Sequence, residues 1–131
     1  KLAELATQYD IQGIAYDNWN SHHIAPALLE DGHNLIEFRQ GFKSMNAPTK
    51  ELEAAIMSRK FNHLGNPVLR WMAGNAEIQT DPAGNVKIIK DIKTPAKKVD
   101  GIISNVMAFA LWLEEPEDTG SYLDAGELYI I

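Results

Sequence analysis

No cysteine occurs among the 131 residues of this sequence. This absence excludes a disulfide scaffold, a thiolate zinc site and a cysteine nucleophile, and it is compatible with a reducing cytoplasm. Long apolar runs are missing too: Gly101–Leu113, the longest apolar stretch without a charge, has 13 residues, whereas a membrane span needs about 20. The sequence begins with Lys1 and has no recognisable signal peptide, so we expect it to be a piece of a longer chain.

Sequence motifs for several large enzyme classes are also absent. The chain has no P-loop, no GxSxG elbow, no HExxH and no GxGxxG motif. Its composition is ordinary for a soluble globular protein, because 45% of the residues are hydrophobic and 23% are charged. The length corresponds to one domain, since domains average about 150 residues, and it is sufficient to bury one hydrophobic core.

The net charge of −6 is concentrated at one end of the chain. Residues 114–131 contain six acids and no base, whereas the first 113 residues contain 12 acids and 12 bases. We therefore predict a body over residues 1–113 and an acidic tail over 114–131. A short basic stripe within the neutral body consists of Lys87, Lys90, Lys93, Lys97 and Lys98. The overall acidity argues against nonspecific coating of nucleic acid, while the stripe is compatible with a small positive surface.

The first part of the chain has the pattern of a βαβ unit. The spacing of apolar residues predicts the end of a helix over residues 1–9. Two short apolar runs, Ile11–Tyr16 and Leu35–Phe38, are typical of buried strands, and the segment between them predicts a helix that ends at Gly32. A strand, a helix and a strand with short connections predict a parallel pair.

The middle of the chain predicts a loop followed by two helices. Gln40–Ala47 is interpreted as a loop. Pro48 is predicted to open a helix, because proline is favoured in the first helical turn. Asn66 followed by Pro67 predicts the start of another helix, with Asn66 as its N-cap.

The last third of the chain predicts a hairpin, a core helix and a tail. Ala76–Thr80 and Val86–Ile89 have strand-like composition and are joined by a turn sequence rich in Asp, Pro, Gly and Asn, which predicts a β-hairpin. Val99–Leu113 is apolar nearly all round, so we place this helix in the core. Tyr122–Ile131 is interpreted as a loosely attached tail.

Two aspartates stand at positions that suit ligand binding. Asp17 follows the first predicted strand, and ligands bind at the carboxyl ends of strands in open α/β sheets. Asp100 opens the most apolar helix at the rim of the core, where a carboxylate is costly unless it is paired or binds a metal. Each also has a structural explanation, Asp17 as a turn or cap residue and Asp100 as an acid stabilised by the helix dipole. No local spacing rule links two residues 83 positions apart.

Histidines and lysines give weaker indications of function. His22 and His23 are adjacent, so on a helix they do not share a face and make a poor metal pair. His63 precedes the Asn66 cap, where a surface histidine is the simpler interpretation and a contact to phosphate the alternative. The lysine stripe is typical of a solvated face, although beside Asp100 it also suits a nucleic-acid backbone.

Four longer segments carry a more specific signal than any single residue. They are AYDNWN (Ala15–Asn20), FRQGFKSMNAPTKELE (Phe38–Glu53), HLGNPVLRWMAGNAEIQTDPAGNVK (His63–Lys87) and KKVDGIISNVMA (Lys97–Ala108). In content, order and spacing they resemble the nuclease domain of the large subunit of DNA-packaging terminases from tailed bacteriophages. The resemblance extends over nearly the whole chain.

This resemblance implies both a fold and an activity. The implied fold is α/β of the ribonuclease-H-like nuclease class, incomplete because its first strands are expected upstream, with a β-hairpin insertion and a long C-terminal core helix. The implied activity is that of a metal-dependent endonuclease that cuts concatemeric viral DNA in the cytoplasm of the host bacterium. The implied partners are double-stranded viral DNA, the terminase small subunit and the portal protein.

The resemblance also implies the residues of the site. The family's acidic cluster comes from three elements, and Asp17 in AYDNWN matches the second while Asp100 in KKVDGI matches the third. Both are therefore expected to be catalytic residues that hold two Mg²⁺ or Mn²⁺ ions, since such ions prefer carboxylate oxygens. Lys97 and Lys98 are expected to bind DNA phosphate.

The acid that the family carries on its first strand has no match in this sequence. Glu4 and Asp10 lie on or just after the first predicted helix and do not fit that motif. The isolated chain is therefore expected to be inactive, and unpaired strand edges are expected to cause self-association.

Two alternative functions remain open. One is a non-catalytic remnant of a decayed prophage terminase that serves as a docking or DNA-binding module. The other is a different ribonuclease-H-like nuclease such as a resolvase or integrase, against which the strings NPVLRWM and DPAGNVK argue.

Overall fold

The fold consists of two units, Lys1–Arg39 and Gln40–Ile131. The structure, a computed structural model, describes residues 1–19, 21, 23–90, 93–94, 96–114 and 128–129. Within these ranges, no helix combines the length and the apolar character that crossing a membrane requires. Each unit has its own secondary structure and is described by itself.

The first unit contains the predicted βαβ arrangement. Its elements are α1 (Leu2–Ala6), β1 (Ile14–Tyr16), α2 (Ala25–Glu30) and β2 (Leu35–Glu37). Strands β1 and β2 are parallel neighbours, with Ile14 opposite Leu35 and Tyr16 opposite Glu37. The prediction of a parallel pair is confirmed, although β1 is three residues shorter at its start than the apolar run Ile11–Tyr16 indicated.

The helix α2 ends at a glycine, as the sequence predicted. Gly32 has a positive φ of 83°, a conformation that glycine adopts without a steric penalty. The backbone N–H of His33 donates to the carbonyl of Leu28, and that of Gly32 donates to the carbonyl of Leu29. These two bonds form a Schellman motif, which satisfies carbonyls at the helix end and turns the chain toward β2.

The second unit begins with a helix that the sequence patterns did not predict in full. Helix α3 spans Phe42–Met57, so most of Gln40–Ala47 is helical rather than a loop, and Pro48 lies inside the helix rather than opening it. Both predictions are wrong. A proline in the interior removes one backbone donor, but Met45 and Leu52 on either side are only 1% and 3% exposed. Their burial stabilises the helix through the proline, because packing outweighs local propensity.

The core of the second unit lies where α3 packs against α5, which spans Asp100–Glu114. The buried residues of α5 are Ile102, Asn105, Val106, Met107, Phe109 and Ala110. Val106 and Met45 are the largest side chains that are fully buried. The prediction of a core helix is confirmed, with the difference that one face of α5, including Ser104 and Ala108, is exposed.

The predicted hairpin is present as β4 (Ala76–Thr80) and β5 (Val86–Lys90), which pair antiparallel. Asp81 organises its turn: Oδ1 accepts from the backbone N–H of Asn85 at 2.8 Å, and Oδ2 accepts from the Asn85 side-chain amide at 2.8 Å. The hydrogen bond from the Asn85 side-chain amide stabilises the charged carboxylate, so the pKa of Asp81 lies below its usual value. Gly84 supplies the positive φ of 83° that the turn requires.

The second unit also contains a short parallel strand pair. Strand β3 (Phe61–Asn62) pairs with β6 (Leu128–Tyr129). The sequence interpreted Tyr122–Ile131 as a loosely attached tail, and at these two residues the interpretation is wrong, since they form a strand pair. The rest of the predicted tail after Glu114 lies outside the described residues.

Candidate metal and DNA site

Asp17 stands directly after the last residue of β1. Its Oδ1 accepts a hydrogen bond from the backbone N–H of Trp19 at 3.0 Å, so the aspartate closes a turn as well as ending the strand. The carbonyl of Tyr16 accepts from the backbone N–H of Phe38 at 2.8 Å, which ties the end of β1 to β2. Asp17 is half-buried and directly follows a short, paired strand. It therefore has the fixed backbone that a metal ligand requires.

Asp100 is the first residue of α5, and its side chain is exposed. The residue before it, Val99, is 2% exposed, and its carbonyl accepts from the backbone N–H groups of Ile102 and Ile103. Asp100 thus begins the helix as predicted. Because Asp100 is exposed, the free-energy cost of burying its carboxylate, which the sequence suggested, does not apply. The helix dipole stabilises its negative charge. An exposed, accessible carboxylate is also what a metal ligand needs.

Helix α4 spans Pro67–Ala73 and begins where the sequence predicted. Asn66 Oδ1 accepts from the backbone N–H groups of Val68 and Leu69 at 3.0 and 3.1 Å, which is the predicted N-cap. The cap fixes the direction of a helix of only seven residues. This matters for the site because α4 packs against α5.

Groups on and after α4 hold the backbone on both sides of Asp100. Asn75 Nδ2 donates to the carbonyl of Lys98 at 3.1 Å. Met72 Sδ accepts from the backbone N–H of Gly101 at 3.2 Å. We call these two contacts the α4 clamp. The clamp leaves the peptide that carries Asp100 little freedom to move relative to α4.

The clamp depends on a glycine. A Cβ atom at position 101 would lie 2.9 Å from Met72 Sδ, closer than real Cβ contacts, and 3.2 Å from Leu69 Cδ1, which is a tight contact. A larger residue would therefore require the ends of these two side chains to shift, and glycine lets α4 approach the first turn of α5 without that shift. The resemblance places the segment His63–Asn75 near the site, but sequence reasoning assigned no role to Met72, Asn75 or Gly101. The available signal was a lone glycine inside an apolar helical pattern, which often marks close packing.

The lysines expected to bind DNA lie just before Asp100. Lys97 is half-buried and Lys98 is exposed, and the backbone N–H of Lys97 closes a turn on the carbonyl of Thr94 at 2.9 Å. Farther back in the stripe, the Lys87 ammonium lies 4.6 Å from the centre of the Phe42 ring, a cation–π contact that fixes it against α3. Lys97, Lys98 and Asp100 are neighbours in the sequence, and the binding of DNA by the two lysines remains a prediction.

Other acids and histidines weighed from the sequence do not assemble into a metal centre. Among the residues that the structure describes, no group of three His, Asp or Glu side chains is placed to hold an ion. Asp10 accepts from Gln12 Nε2 at 2.6 Å, and Glu4 pairs with Lys1 at 3.3 Å. His22 lies outside the described residues. Asp17 belongs to the first unit and Asp100 to the second, and their expected proximity remains a prediction.

Comparisons with known proteins extend along almost the whole chain. A family model described as "Terminase large subunit, endonuclease domain" matches residues 2–117. The chain is 30% identical over 125 residues to "Terminase, large subunit" of Enterobacteria phage HK97, which covers 94% of this chain and 24% of that protein. It is 37% identical over 105 residues to "Protein YmfN" of Escherichia coli (strain K12), covering 79% of this chain and 23% of that protein.

A solved structure gives the same result. The crystal structure of the HK97 bacteriophage large terminase matches with a TM-score of 0.71 and 29% identity, over 84% of this chain and 23% of that one. The predicted fold class, α/β of the ribonuclease-H-like nuclease type, is thereby confirmed. The chain spans about a quarter of the length of the relatives that it matches.

Proposed function

We propose, since the chain belongs to the endonuclease-domain family of terminase large subunits, that it serves as the DNA-cutting part of a viral DNA-packaging enzyme. The observation that carries the proposal is the family match over residues 2–117, which includes both aspartates of the candidate site. The substrate in this proposal is concatemeric double-stranded viral DNA, and the reaction is hydrolysis of its phosphodiester bonds. The place of action is the cytoplasm of a bacterial host, and the partners are the small subunit and the portal protein.

The cofactor in this proposal is Mg²⁺ or Mn²⁺, with Asp17 and Asp100 as ligands. Carboxylate oxygens suit these ions, and Mg²⁺ is commonly held by one or two carboxylates together with water and substrate phosphate. Two aspartates therefore fit one ion. A pair of ions needs additional bridging oxygens, and no group of three acids or histidines among the described residues is placed to hold an ion. When bound, such ions activate water and stabilise the leaving oxygen.

The chain's own residues supply positioning and charge. The α4 clamp holds the backbone of Asp100, and the β1–β2 pair holds that of Asp17. Lys97 and Lys98 place two cations within three residues of Asp100, where they offset the charge of a DNA phosphate. In this proposal the two lysines hold a phosphate of one DNA strand next to the carboxylate at the start of α5.

The proposed activity is tested with a large subunit that contains this chain. We expect purified protein to convert supercoiled plasmid into nicked and linear forms when Mn²⁺ is added, and we expect EDTA to stop the reaction. The ATPase activity of the same preparation serves as the control for folding. An ATPase-active preparation that leaves the plasmid intact at every Mn²⁺ and Mg²⁺ concentration would contradict the proposal.

A second candidate function is a docking or DNA-binding module without catalysis. The observation that favours it is that no three acids come together among the described residues. In this case the lysines beside Asp100 bind DNA, and cutting belongs to other proteins. The plasmid assay separates the two functions, because a module of this kind retards DNA in a gel without nicking it.

The 131-residue chain by itself is expected to be inactive, because two carboxylates hold a pair of ions poorly. It is also expected to self-associate, since large apolar side chains such as Trp19, Met57 and Leu64 are between 74% and 84% exposed. A plasmid assay with Mn²⁺ and light scattering check these two expectations separately. Robust nicking by the purified chain would show that another acid completes the site, and a strictly monomeric chain would refute only the association.

The carboxylates of Asp17 and Asp100 are expected to lie within about 10 Å of each other in a large subunit bound to Mn²⁺, because two ligands of one ion pair cannot be farther apart. A crystal structure of that complex measures the distance directly. Ion-bound density on either aspartate alone, with the other carboxylate farther away, would refute the shared site.

A further inference from the structure

An open cavity of about 460 Å³ lies in the second unit beside the candidate site. Its walls come from the segment after β3, from α4 and from the first two turns of α5. Gly101, the residue after Asp100, is one of the residues that line it. The volume is within the range of small-molecule sites, about 300–1,000 Å³.

Two polar side chains at this cavity have hydrogen-bonding capacity that the protein does not use. His63 Nδ1 is buried and has no hydrogen-bond partner among the described residues. Asn105 is 5% exposed and lines the cavity, so what remains accessible of its side chain opens into that space. A buried polar atom without a partner is costly. A ligand in the cavity reaches the Asn105 amide directly, and it supplies a partner to His63 Nδ1, which has almost no accessible surface, when the His63 ring turns toward the cavity.

The chemistry of the walls indicates the class of ligand. None of the described residues that line the cavity is Lys, Arg, Asp or Glu, so its walls offer no charged partner to an anion such as phosphate. Leu69 and Met72 provide apolar and polarisable surface, which suits the face of a flat ring. An asparagine amide both donates and accepts, and it pairs well with the edge of a nucleobase. A neutral heteroaromatic ring with a hydrogen-bonding edge fits all three features.

The position of the cavity relative to Asp100 indicates where such a ring would come from. Ser104 Oγ donates to the carbonyl of Asp100 at 2.9 Å, so one helical turn, a rise of about 6 Å, separates the aspartate from the cavity residues Ser104 and Asn105. A base that leaves the stack next to a phosphate at Asp100 reaches this distance. Enzymes that act on a base within a duplex show that a protein pocket can hold a base outside the stack.

We propose that this cavity binds one unstacked nucleobase of the DNA strand, next to the phosphodiester positioned at Asp100, with Asn105 and His63 bonded to the edge of the base. The inference rests on the proposed function, since it takes the ligand to be the DNA that the domain cuts. It adds a subsite that selects the base beside the cut. The neutral lining distinguishes it from the lysine segment, which binds phosphate.

The test uses the whole chain, EDTA and free deoxyadenosine, with saturation-transfer NMR as the readout. We expect transfer to the base protons of deoxyadenosine and none to deoxyribose 5-phosphate, which carries the sugar and phosphate without a base. Asn105→Leu keeps the size of the side chain and removes its polar atoms, so we expect it to weaken deoxyadenosine binding about tenfold, the effect of losing one paired base edge. Gln79→Leu makes the same change on the exposed face of β4 and is expected to leave binding unchanged.

A second variant tests the proposal even if Asn105→Leu does not fold. His63→Phe removes the second polar group at a half-exposed position, and we expect it to weaken binding as well. Absence of transfer to deoxyadenosine, equal transfer to deoxyribose 5-phosphate, or unchanged binding in His63→Phe would each overturn the base pocket. No metal and no cleavage enter this measurement. A failure of the plasmid assay would therefore refute the endonuclease proposal, while the measurement of deoxyadenosine binding could still be interpreted.

Discussion

Cutting of plasmid DNA in the presence of Mn²⁺ is expected to fall to background when Asp100 is replaced by asparagine in a large subunit that contains this chain. The same loss is expected for Asp17→Asn. Each change removes one negative charge and one strong metal ligand while keeping the size of the side chain, so loss of metal affinity is the expected cause. Binding of Mn²⁺, followed by electron paramagnetic resonance, should weaken together with cutting.

The structure indicates that both variants keep their fold. Asparagine retains the Oδ1 atom that accepts from the backbone N–H of Trp19, so the turn after β1 survives Asp17→Asn. At Asp100 the side chain is exposed, and the loss is limited to its interaction with the helix dipole, about 0.3–1 kcal/mol. Thermal unfolding of the 131-residue chain measures both effects.

Matched control variants separate the site from the general charge of the protein. Asp31→Asn changes an exposed aspartate at the end of α2, in the same unit as Asp17, and Glu77→Gln changes an exposed acid on β4, in the same unit as Asp100. Both controls are expected to cut plasmid at the original rate. Full activity in Asp17→Asn or Asp100→Asn, with metal binding unchanged, would remove that residue from the site.

Local patterns were sufficient to predict the elements whose ends are fixed by neighbouring residues. The N-cap at Asn66, the glycine that ends α2 and the Asp81 turn of the hairpin each depend on hydrogen bonds within a few positions, and all three were predicted. The family resemblance added the fold class, which no single element indicated.

Elements that depend on tertiary packing were not predictable in this way. Pro48 has the local signature of a helix start, but the burial of Met45 one turn earlier extends α3 across it. The contact between Met72 and Gly101 joins residues 29 positions apart, and no periodicity rule connects them. For the same reason the sequence identifies Asp17 and Asp100 only as separate candidates, because no local rule says whether two residues 83 positions apart come together.

The α4 clamp leads to the second large effect. Replacing Gly101 by valine puts a branched side chain where even a Cβ atom would lie 2.9 Å from Met72 Sδ. We expect the first turn of α5 to move away from α4, at a cost of about 1–3 kcal/mol in the free energy of unfolding. Because Asp100 is the preceding residue, its carboxylate moves too. Cutting and Mn²⁺ affinity should therefore fall about 10- to 100-fold, as when the support of a metal ligand is lost.

Two further variants show whether this loss comes from the clamp. Ala108→Val introduces the same branched side chain at an exposed position of α5 and is expected to leave cutting and Mn²⁺ affinity unchanged. Met72→Ala removes the sulfur that meets the new side chain, so the double variant with Gly101→Val should bind Mn²⁺ more tightly than Gly101→Val alone, a coupling that a double-mutant cycle measures. Strictly additive losses in that cycle, or normal Mn²⁺ affinity in folded Gly101→Val protein, would mean that the close approach of α4 stabilises the core without positioning Asp100.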